Sequence, residues 1–253
     1  MSGFSSKTVA ITGASSGIGE ATARLFASKG ARLVLVARRM ERIEQLASEL
    51  TTDCLTVDLD VRDRNAVESK LGNLPPEFTS IDILVNNAGL SRDLLKIQEG
   101  RPEGWDEMID TNIKGLLYVT RTLLPGMIER GEGHIVNIGS IAGHEIYPSG
   151  NVYCSTKHAV RALSKGLLMD LVDQPIRVTS IDPGLVETEF STVRFHGDKE
   201  RAGTVYQGYQ PLKGSDVAEA VVWACSQPKH VQIAEMIILP TDQASSMLTH
   251  KTL

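Results

Sequence analysis

Short runs rich in β-branched residues alternate with longer amphipathic stretches along nearly the whole chain, a pattern that belongs to repeated strand–helix–strand units. The runs at 9–12, 33–37, 55–57, 83–85, 134–138, 178–181 and 236–239 are too short and too rich in β-branched residues for buried helices, and predict strands. Between them, 17–29, 39–50, 64–71, 105–130, 151–172 and 216–226 carry helical periodicity. Parallel strands joined by crossover helices are covered on both faces, so the expected fold is α/β with a mostly parallel sheet between helix layers. The 253 residues contain no internal repeat and no linker, and their 42% hydrophobic content can fill one core, so a single domain over 1–253 is expected. Only 188–214 departs from the pattern. There Gly197, Gly203, Gly208, Pro211 and Gly214 punctuate a charged and aromatic stretch that reads as a substrate lid.

Composition removes several classes of function. Lys and Arg total 26 against 31 Asp and Glu, a formal charge of −5 with no basic tail, which argues against a nucleic-acid partner. Cys54, Cys154 and Cys225 are odd in number and lack a CxxC spacing, so neither a disulfide framework nor a zinc ribbon is supported. The six histidines show no metal-ligand spacing, and no metal is expected. The longest apolar runs fall far short of the roughly 20 residues that cross a bilayer, and 1–7 is too polar for a signal peptide. A soluble, cytoplasmic protein without a membrane partner is the expectation.

Directly after the first predicted strand comes Thr12-Gly13-Ala14-Ser15-Ser16-Gly17-Ile18-Gly19, within which a helical pattern begins. A turn this rich in glycine lets the backbone approach a pyrophosphate, whose charge then faces the free N–H groups of the helix N-terminus. Joined to Asn86-Asn87-Ala88-Gly89, the spacing of Gly13, Gly17 and Gly19 resembles the short-chain dehydrogenase/reductase family. Asp60-Val61, Asn112, Ser140, Tyr153 with Lys157, and Pro183-Gly184 with Val186 and Thr188 continue the likeness along the chain. The resemblance implies a Rossmann-type, doubly wound sheet of about seven strands. It also implies Asp60 and Val61 beside an adenine ring, Asn86, Asn87, Ala88 and Gly89 beneath the cofactor, and Val186 and Thr188 on a nicotinamide carboxamide. At the end of the second strand an acid would bond a ribose 2′-hydroxyl, whereas an arginine accommodates a 2′-phosphate. The chain has Ala37-Arg38-Arg39 there, and NADP is the expected cofactor.

Tyr153 and Lys157 are one helical turn apart on one face. A phenol ordinarily titrates near 10, and a fixed ammonium close by favours its phenolate. Ser140, at the end of the fifth strand, is placed to donate a hydrogen bond to a substrate oxygen, and the resemblance implies that Asn112 holds a water linking the lysine to solvent. Cys154 reads as a small half-buried filler, because no base is implied beside it, while Asp182 and Glu187 read as structural caps.

The stretch 183–191, followed by Val193-Arg194-Phe195 and Gly197-Asp198, and the stretch 237–243 narrow the resemblance. Both are similar to the branch of NADP-dependent 3-hydroxy acid dehydrogenases that oxidise serine, allo-threonine and 3-hydroxypropionate-type acids. A planar guanidinium suits a carboxylate better than an ammonium does, which makes Arg194 the expected anchor, with His144, Lys199 and Arg201 as alternatives. His144, Glu145 and Tyr147 are expected along the other side of the pocket. Apolar residues on several faces of 105–130 and 151–172, together with the resemblance, imply a homotetramer. Three other readings remain: a broad NADPH-dependent carbonyl reductase, a non-catalytic NADP-binding regulator, and a purely structural or interaction protein.

Overall fold

A computed structural model describes residues 3–252; parts of the 1–7 segment and of the 1–253 span therefore lie outside the described residues. Seven strands form the central sheet: β1 (Thr8–Thr12), β2 (Arg32–Ala37), β3 (Cys54–Asp58), β4 (Ile83–Asn86), β5 (Gly133–Ile138), β6 (Ile176–Pro183) and β9 (Glu235–Ile238), in the order β3-β2-β1-β4-β5-β6-β9. All pairings between neighbours are parallel. Two two-residue strands outside the sheet, β7 (Val186–Glu187) and β8 (Leu212–Lys213), pair with each other.

Every residue of β1 is buried, as a strand covered on both faces requires, and alternate residues serve different layers. Val9, Ile11, Leu33, Leu35 and Val85 pack against α1 (Gly17–Ser28) and α9 (Gly214–Cys225). Ala10, Val34, Val36, Leu84 and Ile135 face the opposite layer, with α3 (Arg64–Leu71) and α5 (Leu116–Arg130). The remaining helices are α2 (Met40–Glu49), α4 (Pro102–Ile109), α6 (Asn151–Asp170), α7 (Phe190–Arg194) and α8 (Lys199–Thr204). The chain winds outward from β1 to β3, then restarts at β4 on the other side of β1. That reversal opens a crevice at the carboxyl ends of β1 and β4, where ligands bind in sheets of this kind.

Two elements depart from the sequence expectation. The predicted helix over 105–130 is interrupted by a π-helical turn, Asp110–Gly115, between α4 and α5. Gly115 packs so closely on Val61 that a Cβ there would stand 2.6 Å from Val61 Cγ2. In this widened turn Asn112 bonds both backbone groups of Leu90. The second is 188–214, which carries the short helices α7 and α8, the latter capped by Asp198 on the Arg201 N–H.

Candidate active site

One cavity of about 470 Å³ runs from the Gly13–Gly17 turn, past the ends of β4 and β5, to Tyr153 and the α7 segment. At its first end Gly13 and Gly17 hold φ values of +67° and +58°, a region that side-chain-bearing residues avoid. Asn87 locks the turn by donating to the carbonyls of Thr12 at 2.9 Å and Gly13 at 3.1 Å. Ser16, the N-cap of α1, makes no side-chain bond to the first turn, so the N–H groups there stay available to an anion. Ser15, Ser16, Gly17 and Ile18 line this end, while Gly19 lies beneath it, where a Cβ would run into Gly13 O. Gly19 shapes the turn from behind and does not line the cavity.

The two arginines after β2 have different surroundings. Arg39 donates to Ser15 Oγ and Ser16 Oγ at 3.0 and 2.7 Å and pairs with Glu189 at 2.8 Å, so its guanidinium is already committed. Arg38 is half exposed and has only loose ion pairs with Asp60 and Glu107, at 3.8 and 3.9 Å, which leaves it the freer cation for a 2′-phosphate. Asp60, Val61, Ala88 and Gly89 line the neighbouring wall. Burial pushes the Asp60 carboxyl up, but the Arg62 guanidinium bonded to it wins and holds it below its usual range. Pro183, Gly184, Val186 and Thr188 complete the wall opposite.

At the other end Ser140, Tyr153 and Lys157 share the cavity. Ser140 follows β5 and caps the short turn Ile141–Gly143: its Oγ accepts from Ala142 N at 3.1 Å, leaving its own proton free to be donated. Tyr153 and Lys157 lie one turn apart on α6, both buried. Burial pushes the Tyr153 phenol well above its ordinary value; Tyr147 adds to the rise, and Arg194 and Ser140 oppose it. Lys157 Nζ donates to Ile138 O at 2.8 Å, and burial brings its ammonium down to about 8. The sequence expectation of a phenol below its ordinary value is thus reversed in the unliganded protein, because burial outweighs the groups that favour the phenolate.

Arg194 is 9% exposed, with its guanidinium carbon 5.4 Å from the Tyr153 ring centre and 5.0 Å from that of Phe190. Its Nη2 reaches Tyr147 Oη at a long 3.4 Å, and its Nε is buried without a partner. A buried donor without an acceptor is costly unless a ligand supplies one. Of the alternatives, Lys199 is exposed and Arg201 stacks on Phe195, 4.3 Å from its ring centre.

Other expectations are corrected. His144 does not line the cavity, since it turns to Asp182, 2.7 Å from Nε2 to Oδ2. Glu145 likewise accepts from the Ser246 N–H at 2.7 Å. Asp182 caps no helix, and Glu187 is exposed in β7. Asn112 accepts from Leu90 N through Oδ1 and donates to Leu90 O and Thr156 Oγ1 through Nδ2, at 2.9 to 3.0 Å, which spends both amide protons and leaves Oδ1 a second lone pair. Although no sequence spacing signals it, the fold brings donor atoms of His144, Asp182 and Glu235 within 4.8 Å, and Arg161 already pairs with Glu235. Sequence reasoning also missed Phe190, Tyr206, Gln243 and Ser246 on the cavity wall. Gln243 holds its place by accepting from Leu185 N at 2.8 Å.

A family profile described as short chain dehydrogenase matches residues 7–199. The NADP-dependent 3-hydroxy acid dehydrogenase of Salmonella typhi is 47% identical over 242 residues, covering 95% of this chain and 98% of that protein. Serine 3-dehydrogenase of Agrobacterium fabrum is 44% identical over 239 residues, covering 94% and 96%. Among solved structures, the closed form of serine dehydrogenase complexed with NADP+ aligns with a TM-score of 0.91 at 45% identity, covering 97% of this chain and 100% of that one. Serine dehydrogenase from Escherichia coli aligns at 0.81 and 42%, covering 94% and 99%.

Proposed function

The chain belongs to the short chain dehydrogenase family, and from that premise we propose that it is an NADP-dependent oxidoreductase acting on the CH–OH group of a 3-hydroxy acid of the serine, allo-threonine or 3-hydroxypropionate type. NADP, when bound, supplies the hydride acceptor. The glycine turn and the open first turn of α1 would hold its pyrophosphate, Arg38 would take the 2′-phosphate, and Val186 and Thr188 would hold the nicotinamide end. Tyr153 takes the proton of the substrate hydroxyl as the carbonyl forms, and Ser140, its oxygen lone pair held by Ala142 N, donates to the same oxygen. Lys157 stabilises the phenolate once Tyr153 gives up its proton, and Asn112 fixes Leu90 against α6 so that this helix keeps its place.

The observation that carries an acid substrate is Arg194, a buried guanidinium beside Tyr153 with an unpaired Nε. A carboxylate there would satisfy it and set the 3-hydroxyl between Ser140 and Tyr153. The 188–214 segment acts as the lid of a single domain, and the likeness to a structure in a closed form supports reading it as closed here. Exposed Ile109, Leu117, Ile128, Met169 and Val172 support a homotetramer packed through α4, α5 and α6, and three free cysteines suit a reducing cytoplasm.

The apolar wall of Tyr147, Phe190 and Val193 supports a second reading, reduction of neutral aldehydes and diketones. Turnover of a hydroxy-acid panel with NADP and with NAD, each acid beside its methyl ester, decides between them. The expected result is NADP-linked oxidation of 3-hydroxy acids with a loss of about tenfold or more on the ester, the equivalent of one charged hydrogen bond. Equal rates on acid and ester give the carbonyl reductase instead, and NADP binding without turnover gives the regulator.

A further inference from the structure

Asp182 has no part in the proton transfer, yet it is the one carboxylate buried among the described residues, 1% exposed. A charge that deep persists when it is hydrogen-bonded and compensated. The Ser180 hydroxyl donates to it at 2.6 Å, and His144 Nε2 lies 2.7 Å from its other oxygen. Ser180 brings no charge, and His144 brings one only when protonated.

The other buried charged group near it is Lys157. Lys157 has as its hydrogen-bond partner a neutral carbonyl, that of Ile138. Ile138 precedes Gly139, and a Cβ on Gly139 would run into Asp182 Oδ1. The ammonium and the carboxylate thus flank one corner of backbone at the end of β5, where Ile138 is opposite Ile181, and glycine at 139 is what admits the acid. Ser140 is the next residue along. From the geometry of this corner we propose that Asp182 is the counter-charge of Lys157, a positioning residue that keeps the ammonium protonated in a dry site and fixes the Gly139–Ser140 turn beside it.

The charges facing Asp182 are few. Its own strand offers the Ser180 hydroxyl, and the turn after β5 offers His144. From α6 come Lys157 and Arg161, and from β9 comes Glu235, 3.9 Å from His144 Nε2. Glu235 pairs with Arg161 at 2.8 Å and also feels the exposed Lys165; both cations reach solvent, which screens them, so Lys157 is left as the buried cation matched to Asp182. The charge of Asp182 opposes the fall that burial imposes on the lysine.

The assignment rests on the reading that Lys157 serves the reaction, so its test includes a readout without turnover. Asp182→Asn keeps the shape and removes the charge. With lysines labelled by carbon-13 at the ε position, and the Lys157 signal identified by its loss in Lys157→Met, the titration midpoint of the unliganded enzyme should fall by about one pH unit or more. In turnover, kcat of the variant relative to wild type should decline as pH rises from about 6 to about 8, because the lysine then loses its proton within that range. An unmoved midpoint overturns the proposal, whatever the kinetics do. A lowered midpoint with a kcat ratio independent of pH upholds the counter-charge and overturns the catalytic role given to Lys157. Asp182→Ser, smaller and equally uncharged, gives the same two readings if the asparagine amide crowds Gly139 and prevents folding.

Discussion

The two ends of the cavity are built by opposite means. At the phosphate end one contiguous turn, 12–19, follows β1 directly, and its carbonyls are tied down by Asn87 at the end of the neighbouring strand. At the substrate end Ser140, Tyr147, Tyr153, Phe190, Arg194 and Ser246 arrive from loops, α6, α7 and the segment after β9. Two buried polar atoms there, Arg194 Nε and Ser246 Oγ, have no protein partner. The phosphate turn keeps its reserve in backbone N–H groups at the start of α1, whereas the site assembled from distant segments keeps its reserve in side chains.

If the ends are this separable, removing chemistry at one should leave binding at the other intact. Tyr153→Phe should lower kcat by about a hundredfold to ten-thousandfold, the usual worth of a general acid–base group. The ring still packs on Phe190, 5.6 Å away between centres, so the NADP dissociation constant, read from quenching of protein fluorescence, should stay within about twofold. Comparable losses in both quantities would mean that the two ends are one cooperative unit.

Lys157 sits where the ends meet, and its burial has a cost that pH can reveal. Its folded value of about 8 lies below the ordinary lysine value of 10.5, so above pH 8 the folded state binds fewer protons than the unfolded chain. The penalty is full below the folded value and fades as pH rises toward the unfolded one. Wild type should therefore gain stability relative to Lys157→Met by on the order of 3 kcal/mol between those limits, measured by urea unfolding at a series of pH values. A pH-independent difference would show that the ammonium is not desolvated.

Arg194→Ala tests the unsatisfied end itself. The kcat/KM for a 3-hydroxy acid should fall by about tenfold to a hundredfold, matching about 1.5 to 3 kcal/mol for a charged hydrogen bond. Reduction of a neutral aldehyde should change little. Equal losses on both substrates would make Arg194 a lid support through Tyr147 and Phe190, with no donor held in reserve for a substrate.

The same contrast sets what was legible in the sequence. The sheet, its helices and the glycine turn follow from patterns a few residues long, and each predicted strand overlaps an observed one. Tyr153 and Lys157 are legible because a helix fixes their spacing. The π-turn at Asn112 is not, since its close neighbours, Leu90 and Val61, lie some twenty and fifty residues back in the chain. Nor is the inward turn of His144 to Asp182, or the arrival of Gln243 and Ser246, because contacts between distant segments leave no periodicity behind. Arg38 and Arg39 read alike as neighbours, and only the fold separates the committed guanidinium from the freer one.

The smallest effect is expected at an exposed bridge between the lid and the phosphate turn. Glu189, at the start of the lid, accepts from Arg39 at 2.8 Å and from Arg42 at 2.7 Å, and Arg39 also grips Ser15 and Ser16 in the phosphate turn. The bridge is exposed, with 43% of the Glu189 side chain open to solvent, so its two pairs are screened and together contribute at most about 1 kcal/mol. Glu189→Gln should therefore lower Tm by only a few degrees at low salt, with the difference shrinking as salt is added. Its kinetic signature should be a rise of up to about fivefold in KM for the hydroxy acid with kcat nearly unchanged, because a lid less firmly held is open for more of the time while the groups beneath it are untouched. A loss confined to NADP affinity would instead assign the bridge to the phosphate turn alone, through the release of Arg39, and would leave the lid without an electrostatic latch.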